Sequence, residues 1–305
     1  MNQQTERQAW LAERQKFVGA SEVASLFEKE LSAHGEKPYQ PYYKLWHIKA
    51  GVIEPENLDN KSYIQSGRFL EDGAAKWFAE KAGYKVWQAD EHLQDVDCGL
   101  AATPDFYVYK ADSLIGCLET KVISAAQFSK WDDEPPLKFE LQLQTQMGLK
   151  GLKKGWIAAL VIGDYSRDLV VFEREFRPKA FAKIQKAARA FWQSIKTNDR
   201  PDADYQQHYA IIAEIYGQAD TAKEIDLTGH NEAGFLAEKH YHLGQQINQL
   251  KAERDATKAQ LLEIIGDAAK AFGEGFKISA DMVNRAETVL PANTYRNFRL
   301  TLKKG

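Results

Sequence analysis

The spacing of apolar and polar positions divides the chain into a helical opening, a run of strands and a long helical tail. Within residues 5–50 it predicts short helices punctuated by Gly19-Ala20-Ser21-Glu22, with Ser21 as N-cap of a helix over residues 22–27. A polar, proline-containing loop is expected up to Pro41, then a helix over residues 42–50 closed by Gly51. From Ser62 to Ala82 the residues Phe69, Ala74, Trp77, Phe78 and Ala82 fall on one helical stripe, stopped by Gly83. The pattern then changes. Residues 84–88, 105–109, 114–123, 156–162 and 168–176 are short and rich in β-branched or aromatic side chains, which predicts strands. Helices are expected over 137–149 and, opened by Phe176-Arg177-Pro178, over 179–195.

These elements predict an α/β (α+β) unit over residues 1–200, a central mixed sheet flanked by helices. A second region, 201–305, begins after Asn198-Asp199-Arg200-Pro201-Asp202 and is mostly helical. Its residues 234–265 predict an amphipathic helix without a strict coiled-coil heptad, so packing on the first unit or a neighbour is expected of it. Residues 276–280 and 295–303 supply two candidate terminal strands.

Composition narrows the function classes. With 44% hydrophobic and 27% charged residues, the 305-residue chain is an ordinary soluble one. No stretch approaches the ~20 apolar residues of a membrane span, and the first 15 residues lack a secretory signal's apolar core. Two cysteines, Cys98 and Cys117, are too few for a disulfide framework, a four-cysteine zinc site or an iron–sulfur cage. A cytoplasmic protein is expected. The net charge of −3 gives no global basic field, although residues 146–190 carry ten Lys or Arg against four acids.

Candidate chemistry centres on Thr103-Pro104-Asp105 and Glu119-Thr120-Lys121. If residues 111–113 form a hairpin turn, Asp105 lies opposite Glu119, and Lys121 shares the face of Glu119. Two carboxylates suit Mg²⁺, which is held by one or two such groups plus waters and phosphate. A lysine beside them can orient the attacking water. The same spacing also suits a plain cross-strand salt bridge. Glu71, on the 62–82 helix, faces inward or sits at the edge of the stripe. Gln142 and Gln146 are one helical turn apart, with Gln144 on another face, and an amide near such a cluster can bond a phosphate or a water.

In order and spacing these residues resemble the PD-(D/E)XK nuclease superfamily. The likeness is greatest to its phage recombination branch, the lambda exonuclease-like or YqaJ-type alkaline exonucleases. The likeness runs from Arg14 through Gly19-Ala20-Ser21-Glu22, Pro41-Tyr42-Tyr43-Lys44-Leu45-Trp46 and Gly67-Arg68-Phe69-Leu70-Glu71. It continues through Asp105, Glu119-Thr120-Lys121 and Gln142-Leu143-Gln144 to Phe191-Trp192. The resemblance implies a restriction-endonuclease-like core and a Mg²⁺-dependent exonuclease, Mn²⁺ substituting, that degrades the 5′ strand of linear duplex DNA. It implies that Asp105 and Glu119, with the Thr120 carbonyl and Glu71, hold the metal, and that Lys121 positions the water. Gln144 would be the active-site glutamine and Gln142 a second, while Arg14 and Ser21 would contact the terminal 5′ phosphate. It further implies a single-strand annealing protein as partner and a homotrimeric ring. The rival expectations are an endonuclease of the same superfamily and a catalytically silent DNA-end-binding protein.

Overall fold

In the computed structural model, residues 12–57, 61–164 and 166–285 and the positions 287, 292, 296–298 and 300 are described. The chain divides into two compact units, residues 1–215 and 216–305.

The first unit opens with β1 (Val18–Gly19) and the short helices α1 (Val23–Leu26), α2 (Glu28–Ala33) and α3 (Tyr42–Lys49). Ser21 is not the expected N-cap: Glu22 holds that position without a side-chain cap bond. Its carboxylate instead turns back to accept from the Gly19 N–H at 2.8 Å. The polar loop expected before Pro41 contains α2, whose two acids in the first turn complement the helix dipole.

Helix α4 (Ser62–Ala82) ends at Gly83, which adopts φ 69°, the left-handed conformation a helix stop needs. Then come β2 (Lys85–Gln88), β3 (Leu93–Asp95), β4 (Leu100–Ala102), β5 (Phe106–Lys110) and β6 (Ser113–Ser124). A one-turn helix α5 (Ala125–Phe128) and α6 (Leu137–Lys150) carry the chain over to β7 (Lys154–Ile162), followed by β8 (Arg167–Glu175) and α7 (Pro178–Lys196). Helix α8 (Tyr209–Ile215) closes the unit.

The five strands expected from the sequence form one mixed sheet in the order β2-β5-β6-β7-β8. Only the central pair, β6 with β7, is parallel. A parallel pair needs a crossover, and α5 and α6 supply it. The sheet is apolar on both faces. Phe106, Val108, Leu118, Trp156 and Ala158 pack on Ala74, Ala75 and Phe78 of α4. The alternate residues Tyr107, Cys117, Ile157 and Ala159 pack on Phe139, Leu143 and Met147 of α6. Three of the residues expected on the α4 stripe are not in the core: Phe69 is 85% and Trp77 37% exposed, and Ala82 is exposed as well, while Ala74 and Ala75 make the close approach. A small sheet, β1-β4-β3, joins α1, α3 and α7 in a separate core around Trp46 and Phe191.

The β5–β6 hairpin bears on the site. Its turn has two residues, Ala111 and Asp112, since Lys110 pairs with Ser113. A bulge then shifts the register, Tyr109 pairing with Leu114 but Val108 with Gly116, so that Ile115 is the extra residue. Phe106 pairs with Leu118, and continuing by one residue sets Asp105 against Glu119.

The second unit contains α9 (Asn231–Ile265) and an antiparallel hairpin, β9 (Lys270–Gly273) with β10 (Phe276–Ser279). No residue of α9 is buried. The strand expected over 295–303 falls largely outside the described residues, as do residues 5–11 of the expected opening helices.

Candidate active site

Odd-numbered residues of β6 face α6, so the side of Cys117 also presents Glu119 and Lys121. Glu119 is only 1% exposed. Burying an ionised carboxylate is costly unless donors surround it, and here three do. Lys121 Nζ (2.5 Å) and Gln142 Nε2 (2.7 Å) donate to its Oε1, and Gln146 Nε2 (2.6 Å) donates to its Oε2. Asp105 faces the same cluster. Its Oδ2 accepts from the Thr120 N–H (2.8 Å) and hydroxyl (2.9 Å), while its Oδ1 accepts no hydrogen bond from a described residue.

Burial, then the neighbouring Glu119 carboxylate, push the Asp105 carboxyl well above the usual carboxylate range, against the pull of Lys121. For Lys121 burial works toward a lower value. The carboxylates of Glu119 and Asp105 and the Tyr39 hydroxyl outweigh it and hold the ammonium's proton more tightly than in water. Glu71, half-buried on α4 one turn before the Ala74–Ala75 contact, is raised by burial and then by Glu119. It therefore approaches the cluster from the other helix.

Not every expected residue reaches the cluster. Gln144 lies two residues, about 200° of helix, from both Gln142 and Gln146. Its amide donates to Glu140 Oε1 (3.0 Å) and to the Glu175 carbonyl (2.9 Å), and its Oε1 accepts from the Arg177 N–H (2.8 Å). Gln144 thus clamps α6 to the end of β8, away from the cluster where it was expected, and the glutamines that reach Glu119 are Gln142 and Gln146. The i, i+4 spacing of those two was the signal for Gln146. Thr120 meets the cluster through its N–H and hydroxyl. Tyr39, in the loop before α3, was not expected at the site. It feels the charges of Lys121, Glu119 and Asp105.

Arg14 and Ser21 belong to a different group. The Arg14 guanidinium lies beside Gly19, 3.8 Å from where a Cβ would stand. Its carbonyl accepts from Lys49 Nζ at 3.1 Å, and the same ammonium pairs with Glu22 at 2.8 Å. Lys49 is almost fully buried. Ser21 is half-buried in the intervening turn. Of the aromatic residues at 38–46, Tyr43 and Trp46 are core, 8% and 1% exposed, whereas Tyr39 is 61% exposed. Part of the basic run over 146–190 is neutralised internally: Lys150 pairs with Glu91, Lys154 with Glu173, and Arg174 with Glu134 and Glu140.

Among the described residues no three His, Cys, Asp or Glu side chains come close enough together to hold a cation by themselves. The donor set nevertheless fits Mg²⁺. Asp105 and Glu119 are hard oxygen donors that repel one another, Asp105 keeps an oxygen without a hydrogen bond, and Mg²⁺ completes its shell with water and phosphate.

The mixed sheet covered on both faces by helices is a fold that this chain shares with a solved alkaline exonuclease. The chain is similar to the alkaline exonuclease LHK-Exo from Laribacter hongkongensis, with a TM-score of 0.50 and 20% identity, covering 67% of this chain and 98% of that one. A phage related exonuclease from Haemophilus somnus 129PT is similar at 14% identity and a TM-score of 0.42, over 60% of this chain and 96% of that one. Residues 9–153 match the YqaJ-like viral recombinase domain. The uncharacterized protein YqaJ of Bacillus subtilis (strain 168) is 25% identical over 280 residues, covering 89% of this chain and 82% of that protein.

Proposed function

We propose that this protein is a Mg²⁺-dependent exonuclease that degrades linear double-stranded DNA from the 5′ end and leaves 3′ overhangs. The observation that carries the reading is the buried Glu119 carboxylate, which accepts hydrogen bonds from Lys121, Gln142 and Gln146 beside Asp105. A bound divalent cation would supply Lewis acidity at the scissile phosphate and lower the pKa of a water. Asp105 and Glu119 hold it, and Glu71 adds negative charge from α4. Lys121 retains its proton, so it acts as a donor that orients the phosphate and neutralises charge developing on it. Attack by water breaks the bond between phosphorus and the 3′ oxygen of the terminal nucleotide. The shortened strand keeps a 5′ phosphate, the group assigned to Arg14 and Ser21, so each cut regenerates the recognised end.

The overhang is the substrate of a single-strand annealing protein, which makes that protein the partner in recombination. Degradation of long duplexes favours enclosure of the DNA in a homotrimeric ring, built by heterologous contacts. No helix among the described residues is long and apolar enough to cross a membrane. A linear-duplex substrate is what favours the cytoplasm as the site of the proposed reaction. Digestion of linear duplexes labelled at either end, with and without Mg²⁺, tests the reading. Loss of 5′ label only when Mg²⁺ is present supports it, and cutting of covalently closed circles would favour an endonuclease. Light scattering tests the ring: three chain masses are expected, and a monomer that still degrades long duplexes in one binding event removes it.

A further inference from the structure

Gln146 is fully buried, and packing does not explain its amide. Its Nε2 lies 2.6 Å from Glu119 Oε2. A carboxylate oxygen at that distance needs a donor, which fixes the amide with its nitrogen toward Glu119. The amide oxygen is then left buried with no hydrogen-bond partner among the described residues. An apolar side chain of the same size would avoid that cost. What the amide does supply is the only side-chain hydrogen bond to Glu119 Oε2 among the described residues, whereas Oε1 receives two, from Lys121 and Gln142. Without Gln146 the carboxylate is anchored through one oxygen and can turn about its terminal bond.

We infer that Gln146 is a positioning residue, which locks the plane of the Glu119 carboxylate so that it is set for a divalent cation before one binds. This rests on the reading of Glu119 as a metal-holding residue. Ligand orientation by neighbouring hydrogen bonds commonly alters metal affinity by about 10- to 100-fold.

The test compares DNA-free native protein with Gln146→Met and Gln146→Leu, titrated with Mn²⁺ and followed by electron paramagnetic resonance of the free ion. Thr145→Val is the control, because the Thr145 hydroxyl bonds the Leu141 carbonyl of its own helix at 2.7 Å and not the cluster. At least one Gln146 variant should melt no lower than native without metal and bind Mn²⁺ about tenfold more weakly. The Mn²⁺ concentration for half-maximal cleavage should rise by the same factor, with the rate at saturating metal largely kept. Thr145→Val should bind as native does. A folded Gln146 variant with native Mn²⁺ affinity overturns the inference. So does failure of both variants to fold, which would make Gln146 a core residue, or equal weakening by Thr145→Val. Native protein that binds no Mn²⁺ and cuts no DNA overturns the nuclease reading itself, a result distinct from the others.

Discussion

Two of the lysine–glutamate pairs in the first unit are largely buried, and their surroundings differ in sign. Lys121 and Glu119, 2.5 Å apart, share their cluster with Asp105, and Glu71 adds a further acid. Lys49 and Glu22, 2.8 Å apart, are joined by Arg14, so two cations stand against one acid. The lysines respond in opposite directions. Lys121 holds its proton more tightly than usual, whereas Lys49 is lowered, mainly by burial and in part by Arg14, with Glu22 opposing. A salt bridge alone therefore says little about a site. On the function proposed above, the charge around each pair would favour a cation at the first and an anion at the second.

The largest expected effect is at the acid-rich pair. Lys121→Ala should lower cleavage of labelled duplex about 100- to 1,000-fold, the usual cost of removing one stabilising donor, and should also lower the melting temperature, since it strips a donor from the buried Glu119 carboxylate. Near-native turnover would take Lys121 out of the mechanism. Gln144→Ala marks the boundary of that cluster. It strips hydrogen bonds from the Glu175 carbonyl and Arg177 N–H and should cost about 2 kcal/mol of stability by thermal melting. Turnover below the melting range should stay native, and a catalytic defect without destabilisation would return Gln144 to the site.

At the cation-rich pair the effect is smaller. Native protein should degrade 5′-phosphorylated ends faster than 5′-hydroxyl ends, and Arg14→Ala should erase a preference of roughly tenfold, consistent with a charged hydrogen bond of ~1.5–3 kcal/mol. Equal rates on both ends in native protein would contradict the assignment of Arg14 and Ser21. The subtlest effect is on pH dependence without metal. The Asp105 pKa is raised by folding, so the folded state binds the extra proton. Its contribution is complete below the ordinary carboxylate pKa and is lost as pH rises through the raised value. Metal-free melting temperature should fall over that window, and Asp105→Asn should flatten the fall. A variant with the native slope would place the titration elsewhere.

The central sheet was legible because its strands are apolar on both faces and bounded by clear breaks. β1, β3 and β4 were not, since two or three residues show no period. The helix stripe was half legible. Periodicity marks a face but not its cover, which is why Phe69 was assigned to a core that Ala75 occupies. At the site, Asp105, Glu119 and Lys121 followed from strand parity. Gln144 failed because its placement followed the resemblance against the helical angle that the sequence itself displays. The opposition of Asp105 and Glu119 was reached through two offsetting differences: the assumed turn is one residue too long, and the strand contains a bulge.

That bulge separates two requirements that a hairpin usually ties together. In an unbroken ladder, loop length dictates phase, and a turn shortened by one residue would set Asp105 against Leu118 instead of Glu119. Ile115 absorbs the difference upstream, like a spacer between two gears. A lineage can therefore trade one residue of turn for one of bulge while the catalytic acids stay aligned. What has to be inherited in this hairpin is the parity of the count between Asp105 and Glu119, and the loop itself is left open to variation.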